Sequence, residues 1–165
     1  MKILKNYGLY ILFPILSLLS VIACGGEKPV FEEIETIDKG IWNKNNISFT
    51  IPVDGVSIDT LQLYDLQIYL RNNNDYPYSN IYLFVNVTAP SGAIAIDTIQ
   101  YILADDHGKW FGKGFSKLWD NRFPFYSNIR FPNKGDYHIE IRQGMRQDEL
   151  IGITDVGIRL MERGK

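Results

Sequence analysis

The chain is poor in the side chains that most sites are built from. It has one cysteine, Cys24, and two histidines, His107 and His138, among 165 residues. A single thiol cannot close an intrachain disulfide, and two imidazoles far apart in sequence do not make a zinc-ligand pattern. Basic residues are in deficit as well, with 17 Lys and Arg against 19 Asp and Glu. No basic run stands out, so nucleic acid is not expected as a partner. What the chain does have is apolar and aromatic mass, 45% and 13% of residues respectively. A fold of this composition has to be held by packing alone.

The first residues form a separate unit. Lys2 and Lys5 make a basic start, Tyr7 to Ile22 is apolar and uncharged, and Val21-Ile22-Ala23-Cys24 ends the run with a small residue before the cysteine. This order resembles the bacterial lipoprotein signal, in which cleavage leaves a lipid-modified cysteine at the new N-terminus. The rival is an uncleaved membrane anchor, since about 18 to 20 apolar residues can span a bilayer. On the lipoprotein reading residues 1–23 are removed, Cys24 carries thioether-linked lipid and palmitate, and no thiol is left for other chemistry. Losing Lys2 and Lys5 leaves 15 basic against 19 acidic residues, a net charge of about −4.

Residues 24–44 lack a sustained apolar period and are expected to be lipid attachment site and tether. From residue 45 to 165 the pattern changes to short runs rich in Ile, Val, Tyr, Phe and Thr, broken by turn residues about every ten positions. That rhythm predicts an all-β domain, an antiparallel β-sandwich of jelly-roll or immunoglobulin-like type with about eight strands. Ile47 to Val53, Leu61 to Arg71 and Tyr137 to Gln143 alternate apolar and polar, whereas Ile81 to Thr88 is apolar on both faces and belongs in a central or covered place. Ile94 to Leu103 and Asp155 to Met161 complete the regular runs. Asn133-Lys134-Gly135-Asp136, between Asn128 to Pro132 and Tyr137 to Gln143, is a hairpin signal. Residues 115–126 fit no pattern.

No catalytic constellation emerges. Asp105-Asp106-His107 has metal-ligating side chains, but its members diverge along the chain and end in Gly108, which reads as a solvated turn. Gly112-Lys113-Gly114 lacks the Ser or Thr and the following helix of a phosphate loop. His138 alternates with Ile139 and belongs to a sheet's solvent face. Trp42, Trp110 and Trp119 allow a carbohydrate-binding alternative, because exposed indoles stack on sugar rings, although aromatics in sandwiches are more often core residues. Asp59-Thr60-Leu61 and Asp97-Thr98-Ile99 resemble the Asp-Thr-aliphatic acceptor of O-glycosylation in the Bacteroidota, making Thr60 and Thr98 candidate modification sites. Asn46-Ile47-Ser48 and Asn86-Val87-Thr88 match an N-glycan pattern that a bacterial lipoprotein would not normally use.

Several stretches in order resemble the GldH gliding-motility lipoproteins of the Bacteroidota: Tyr69-Leu70-Arg71-Asn72, Tyr76-Pro77-Tyr78-Ser79-Asn80-Ile81-Tyr82-Leu83, Leu103-Ala104-Asp105 with Gly108-Lys109-Trp110-Phe111-Gly112-Lys113-Gly114, Gln143-Gly144-Met145-Arg146, and Leu150-Ile151-Gly152-Ile153-Thr154-Asp155-Val156-Gly157. The resemblance implies a non-enzymatic envelope component needed for gliding, with no cofactor, no metal and no catalytic residues. Its partners would be the membrane, through the lipid, and other gliding or secretion proteins of the envelope. Arg71, Tyr78, Trp110, Met145 and Arg146 are of types enriched at binding hot spots and are the candidate partner surface. Gly25 after Cys24 lacks the Asp that retains lipoproteins at the inner membrane, and the acidic residues near the start are sparse. Together these favour the outer membrane, facing the periplasm. Cells grown with labelled palmitate should label the wild-type chain and leave Cys24→Ala unlabelled and released from the membrane fraction; an unlabelled, soluble wild-type product would refute lipidation.

Overall fold

The computed structural model describes residues 28–164; the expected signal peptide, residues 1–23, and Cys24 lie outside the described residues. Eleven strands follow in order: β1 (Phe31–Thr36), β2 (Ile41–Asn43), β3 (Ile47–Val53), β4 (Tyr64–Asn73), β5 (Asn80–Thr88), β6 (Ile94–Ile102), β7 (Lys113–Phe115), β8 (Leu118–Ile129), β9 (Gly135–Gln143), β10 (Glu149–Ile151) and β11 (Ile153–Glu162). A five-stranded sheet runs β1-β11-β4-β8-β7, a four-stranded sheet runs β3-β9-β5-β6, and β10 pairs with β2 in a short ribbon. All pairings are antiparallel. The expected all-β sandwich is what forms.

Period-2 alternation places the core. On β4, Leu66, Ile68 and Leu70 are buried; Ile158 and Leu160 of β11 stand opposite Ile68 and Leu66 in the same sheet. The facing sheet contributes Phe49, Ile51 and Val53 of β3, Ile81, Leu83 and Val85 of β5, and Tyr137, Ile139 and Ile141 of β9. The two inner faces share one apolar cluster. β5 lies between β6 and β9, in the central place that its two-sided apolar sequence calls for.

Three expectations need correction. The segment expected as a tether is folded from Val30 onward: the Val30 amide donates to the Leu160 carbonyl at 2.9 Å, β1 then pairs with β11, and Trp42 of β2 is buried against Leu150 of β10. Glutamates at positions 32, 33 and 35 hide β1 from pattern reading, because as an edge strand it gains its stability from backbone pairing rather than from an apolar face. The residues around Asn133 to Asp136 join two sheets rather than forming a hairpin, since β8 pairs with β4 while β9 pairs with β3 and β5. A turn signal marks a reversal but not which sheet receives the next strand. Residues 118–129, within and beyond the stretch without a pattern, are the long β8. Register shifts near Tyr64, Leu66 and Gln67 break its alternation, and Pro124 is tolerated because three-residue β7 leaves that part of β8 an open edge.

One glycine ties these parts together. Gly152, between β10 and β11, has φ of +90°. Its amide donates to the Gly40 carbonyl and its carbonyl accepts from the Asn73 amide, each at 2.8 Å. A Cβ here would lie 2.3 Å from the Tyr76 backbone nitrogen and 2.5 Å from its Cα. Backbone cannot yield as a flexible side-chain end does. Gly152→Ala should therefore lower unfolding free energy by at least about 3 kcal/mol, combining strain and overpacking. Gly92→Ala, at a φ of +82° with open space around it, should cost only about 1 to 2 kcal/mol. Urea unfolding followed by tryptophan fluorescence checks the contrast; equal losses would refute it.

Candidate functional site

Tyr78, Met145 and Arg146 come together at one end of the four-stranded sheet. With Tyr82, Gly144 and Gln147 they line an open cleft of about 580 Å³. Each wall has a local cause. β9 ends at Gln143, whose buried amide reaches forward into the following loop: Nε2 donates to the Gln147 carbonyl at 2.8 Å, and Oε1 accepts from the Met145 amide at 2.8 Å. The loop is thus closed on a side chain of the strand before it. The Gly144 amide continues the β5 ladder by donating to the Tyr82 carbonyl at 2.7 Å, and the Tyr82 amide donates to Met145 Sδ at 3.4 Å.

The other wall is aromatic. Tyr76 is buried, donates its hydroxyl to the Asn80 carbonyl at 2.8 Å, and packs edge-on against Tyr78 with ring centroids 5.7 Å apart. Trp110 also packs on Tyr76, with centroids 6.3 Å apart. Burial raises the Tyr76 pKa well above that of a free phenol, so the ring remains a neutral donor at any physiological pH. Trp110, packed on Tyr76, does not line the cleft.

The charge around the cleft is positive. Arg142 lies over the Phe84 ring, 5.2 Å from its centroid, and neither Arg142 nor Arg146 has a carboxylate in ion-pair range among the described residues. Lys44 reaches Asp148 at 2.9 Å, and this bond holds the Asp148 carboxyl below its ordinary value. Met145 also borders a second depression with Lys44, Phe84 and Arg142. Apolar floor and cationic rim suit a partner segment with an aliphatic or aromatic side chain beside carboxylates.

Arg71 stands elsewhere, on the outer face of the five-stranded sheet. Its guanidinium lies 2.5 Å from Asp120 of β8 and 3.4 Å from Asp155 of β11. The Tyr69 hydroxyl donates to Asp120 at 2.7 Å, and Thr36 and Thr154 donate to Asp155, each at 2.9 Å. Two of the Arg71 guanidinium nitrogens, Nε and Nη1, are engaged in holding β8 and β11 to β4. The indoles give little to a sugar platform: Trp42 is in the core, and Trp119 is half-buried with its N–H on Asn74 at 2.8 Å. Asp105 uses its carboxylate to accept from the His107 and Lys109 amides at 2.9 and 2.8 Å, as a turn would. His138 sits exposed with Nδ1 3.1 Å from the Thr50 hydroxyl. Among the described residues no three His, Cys, Asp or Glu stand together as a metal site. Thr60 is half-buried in a turn, and Thr98 is exposed on the outer face of β6.

One feature escaped pattern reading. The β7–β8 hairpin projects Phe115, 92% exposed, beside exposed Phe111 and Leu118. Aromatic spacing in a sequence does not separate a core ring from a bare one, so no local signal marks it.

The family model for GldH lipoproteins matches residues 29–160. A gliding motility lipoprotein GldH homolog of Christiangramia forsetii is 36% identical over 142 residues, covering 81% of this chain and 84% of its own. The gliding motility lipoprotein GldH of Flavobacterium johnsoniae is 32% identical over 168 residues, covering 97% of this chain and 98% of its own. Among solved structures, the VP2 subviral particle of infectious bursal disease virus overlays with a TM-score of 0.35 at 11% identity, covering 81% of this chain and 33% of that one, a likeness too low to bear on fold or function.

Asp120 makes the outer-face cluster testable. Burial alone would raise its pKa, but the bonds from Arg71 and Tyr69 outweigh burial and lower it. Asp54, which accepts from the amides of Val56, Ser57 and Ile58, is held near 2. Depressed carboxylates stabilise the fold above their unfolded pKa near 4, and that stability disappears as pH falls through the folded values. Unfolding free energy should thus be flat from pH 7 to about 5 and fall between about 4 and 2. Arg71→Met should cost about 1 to 2 kcal/mol at pH 7, discounted for partial exposure, and should make the acid decline shallower. Urea titrations across that range decide it; an unchanged pH profile would refute the Asp120 assignment.

Proposed function

Because the chain belongs to the GldH lipoprotein family, we propose that it serves gliding motility as a lipid-held docking protein, without catalysing a reaction. Lipid on Cys24 retains it at the outer membrane, facing the periplasm. There it holds or stabilises other envelope proteins of the motility and secretion machinery. The observation that carries this reading is the convergence of Tyr78, Met145 and Arg146, residues from two separate sequence motifs, on one cleft.

The physical logic is that of a hot spot. A central apolar anchor site, a methionine able to adapt to its occupant, and unpaired arginines at the rim give affinity and orientation without reactive chemistry. Trp110 and Tyr76 keep the wall in place, and Arg71 keeps the strands in register. The competing reading, a carbohydrate-binding surface lipoprotein, draws less support because the tryptophans do not form an exposed platform.

Complementing an in-frame deletion tests the proposal. Wild type should restore colony spreading. Met145→Asp combined with Arg146→Glu should fail to restore it by at least 10-fold in spreading rate, at normal protein level and melting temperature. Phe111→Ser, away from the cleft, should restore it. Full spreading by the double variant would overturn the cleft assignment, and lost polysaccharide use with normal spreading would favour the carbohydrate reading.

A further inference from the structure

Sheets end in edges; of the four outermost strands of the two large sheets three are blunted, and the stretch of β8 left open beyond β7 carries Pro124. β1 carries Glu32, Glu33 and Glu35, β3 carries Pro52, and β7 is three residues long. The fourth, β6, has no such protection. Its nine residues, Ile94 to Ile102, contain no proline, no glycine and no bulge, and its one charged side chain, Asp97, is taken up by the Tyr126 hydroxyl. On its outer face Ile94, Ile96 and Ile102 are 62%, 74% and 49% exposed. An edge this long and apolar is a template for pairing with another strand.

The backbone says which groups are free. The Ala89 amide donates to the Ala93 carbonyl, and the Leu103 amide donates to the Ser79 carbonyl, so the odd-numbered residues of β6 bond to β5. The register between them is unbroken from Asn80 opposite Ile102 to Thr88 opposite Ile94. Antiparallel alternation then turns the N–H and C=O of Ile94, Ile96, Thr98, Gln100 and Ile102 away from β5. No described residue accepts from or donates to these groups on the open side.

We propose that β6 pairs antiparallel with β6 of a second copy of this chain, about a two-fold axis at Thr98. The strand is self-complementary around that residue. Thr98 faces the partner's Thr98, Ile94 faces the partner's Ile102, and Ile96 faces the partner's Gln100. All five outward residues enter the ladder, with about ten backbone hydrogen bonds. Moving the axis by one residue leaves one outward residue unpaired, moving it by two leaves two unpaired, and a half-residue shift sets outward residues against inward ones. The axis is perpendicular to the sheet, so the two four-stranded sheets become one of eight strands with their outer faces on the same side. This inference does not rest on the docking proposal, and either can fail alone.

Cysteine cross-linking of the full-length protein in cells tests it, with the unsubstituted chain as control for Cys24. A hydrogen-bonded pair holds its Cα atoms about 5.5 Å apart, within disulfide reach. Thr98→Cys should give a band at twice the chain mass under mild oxidant; Ser48→Cys, on the opposite edge strand, should not. Ile94→Cys should cross-link to co-expressed Ile102→Cys and not to itself. Adding Ile96→Lys, which leaves the core untouched, should lower the Thr98→Cys yield at least 10-fold with unchanged melting temperature. No doubled band from Thr98→Cys, an equal band from Ser48→Cys, an adduct of a different mass, or a sugar on Thr98 by intact mass would each overturn the proposal.

Discussion

The arrangement depends on β4 keeping register with neighbours on both sides. Its inward residues Leu66, Ile68 and Leu70 are buried, and its outward residues act as a clamp: Arg71 joins Asp120 of β8 to Asp155 of β11, while Tyr69 bonds to Asp120. A slip of one residue would turn the apolar set to water and separate the clamp at once. Everything else is indexed from here. β11 in this register receives β1 and places Gly152 so that its carbonyl meets Asn73 at the end of β4. Tyr76 then closes on Gly152, Tyr78 packs on Tyr76, and the cleft acquires its aromatic wall.

Polar groups inside the sandwich reinforce this specificity. Asn121 Nδ2 donates to Asn72 Oδ1 at 2.9 Å and to the Leu70 carbonyl at 3.2 Å, linking β8 and β4 from the core side. Gln143 does the same for the loop that carries Met145. Buried amides stabilise only when satisfied, so each of these penalises the wrong register more than it adds to the right one. A chain without disulfides obtains its definition from such groups.

How much was legible in the sequence follows from which signals are local. The faces of β3, β5 and β9 were readable from period-2 alternation because each buries one face, although the apolar second face of β5, with Tyr82 and Phe84, stays exposed. β8 was not, since bulges against β4 interrupt its period, and β1 was not, since an edge strand lined with glutamate has little apolar signature. The turn at Asn133 to Asp136 was visible as a turn, but the sheet that receives β9 is decided by long-range pairing. For the site, motif residues 78, 145 and 146 converge although more than sixty positions separate the first from the others. Arg71 and Trp110 share their chemistry yet are engaged by Asp120, Asp155 and Tyr76, partners that no linear reading supplies. The bare hairpin tip at Phe115 had no signal, because exposure is a property of the assembled fold.

The central claim is that a lipid-held sandwich works by offering the Tyr78–Met145–Arg146 cleft to an envelope partner. A photo-activatable amino acid placed at position 145 of the otherwise native protein, irradiated in gliding cells, tests it most directly. The account predicts a discrete adduct with an envelope protein that disappears in the Arg146→Glu background. Adducts absent from position 145 but present from position 115 would contradict it and move the working surface to the β7–β8 hairpin.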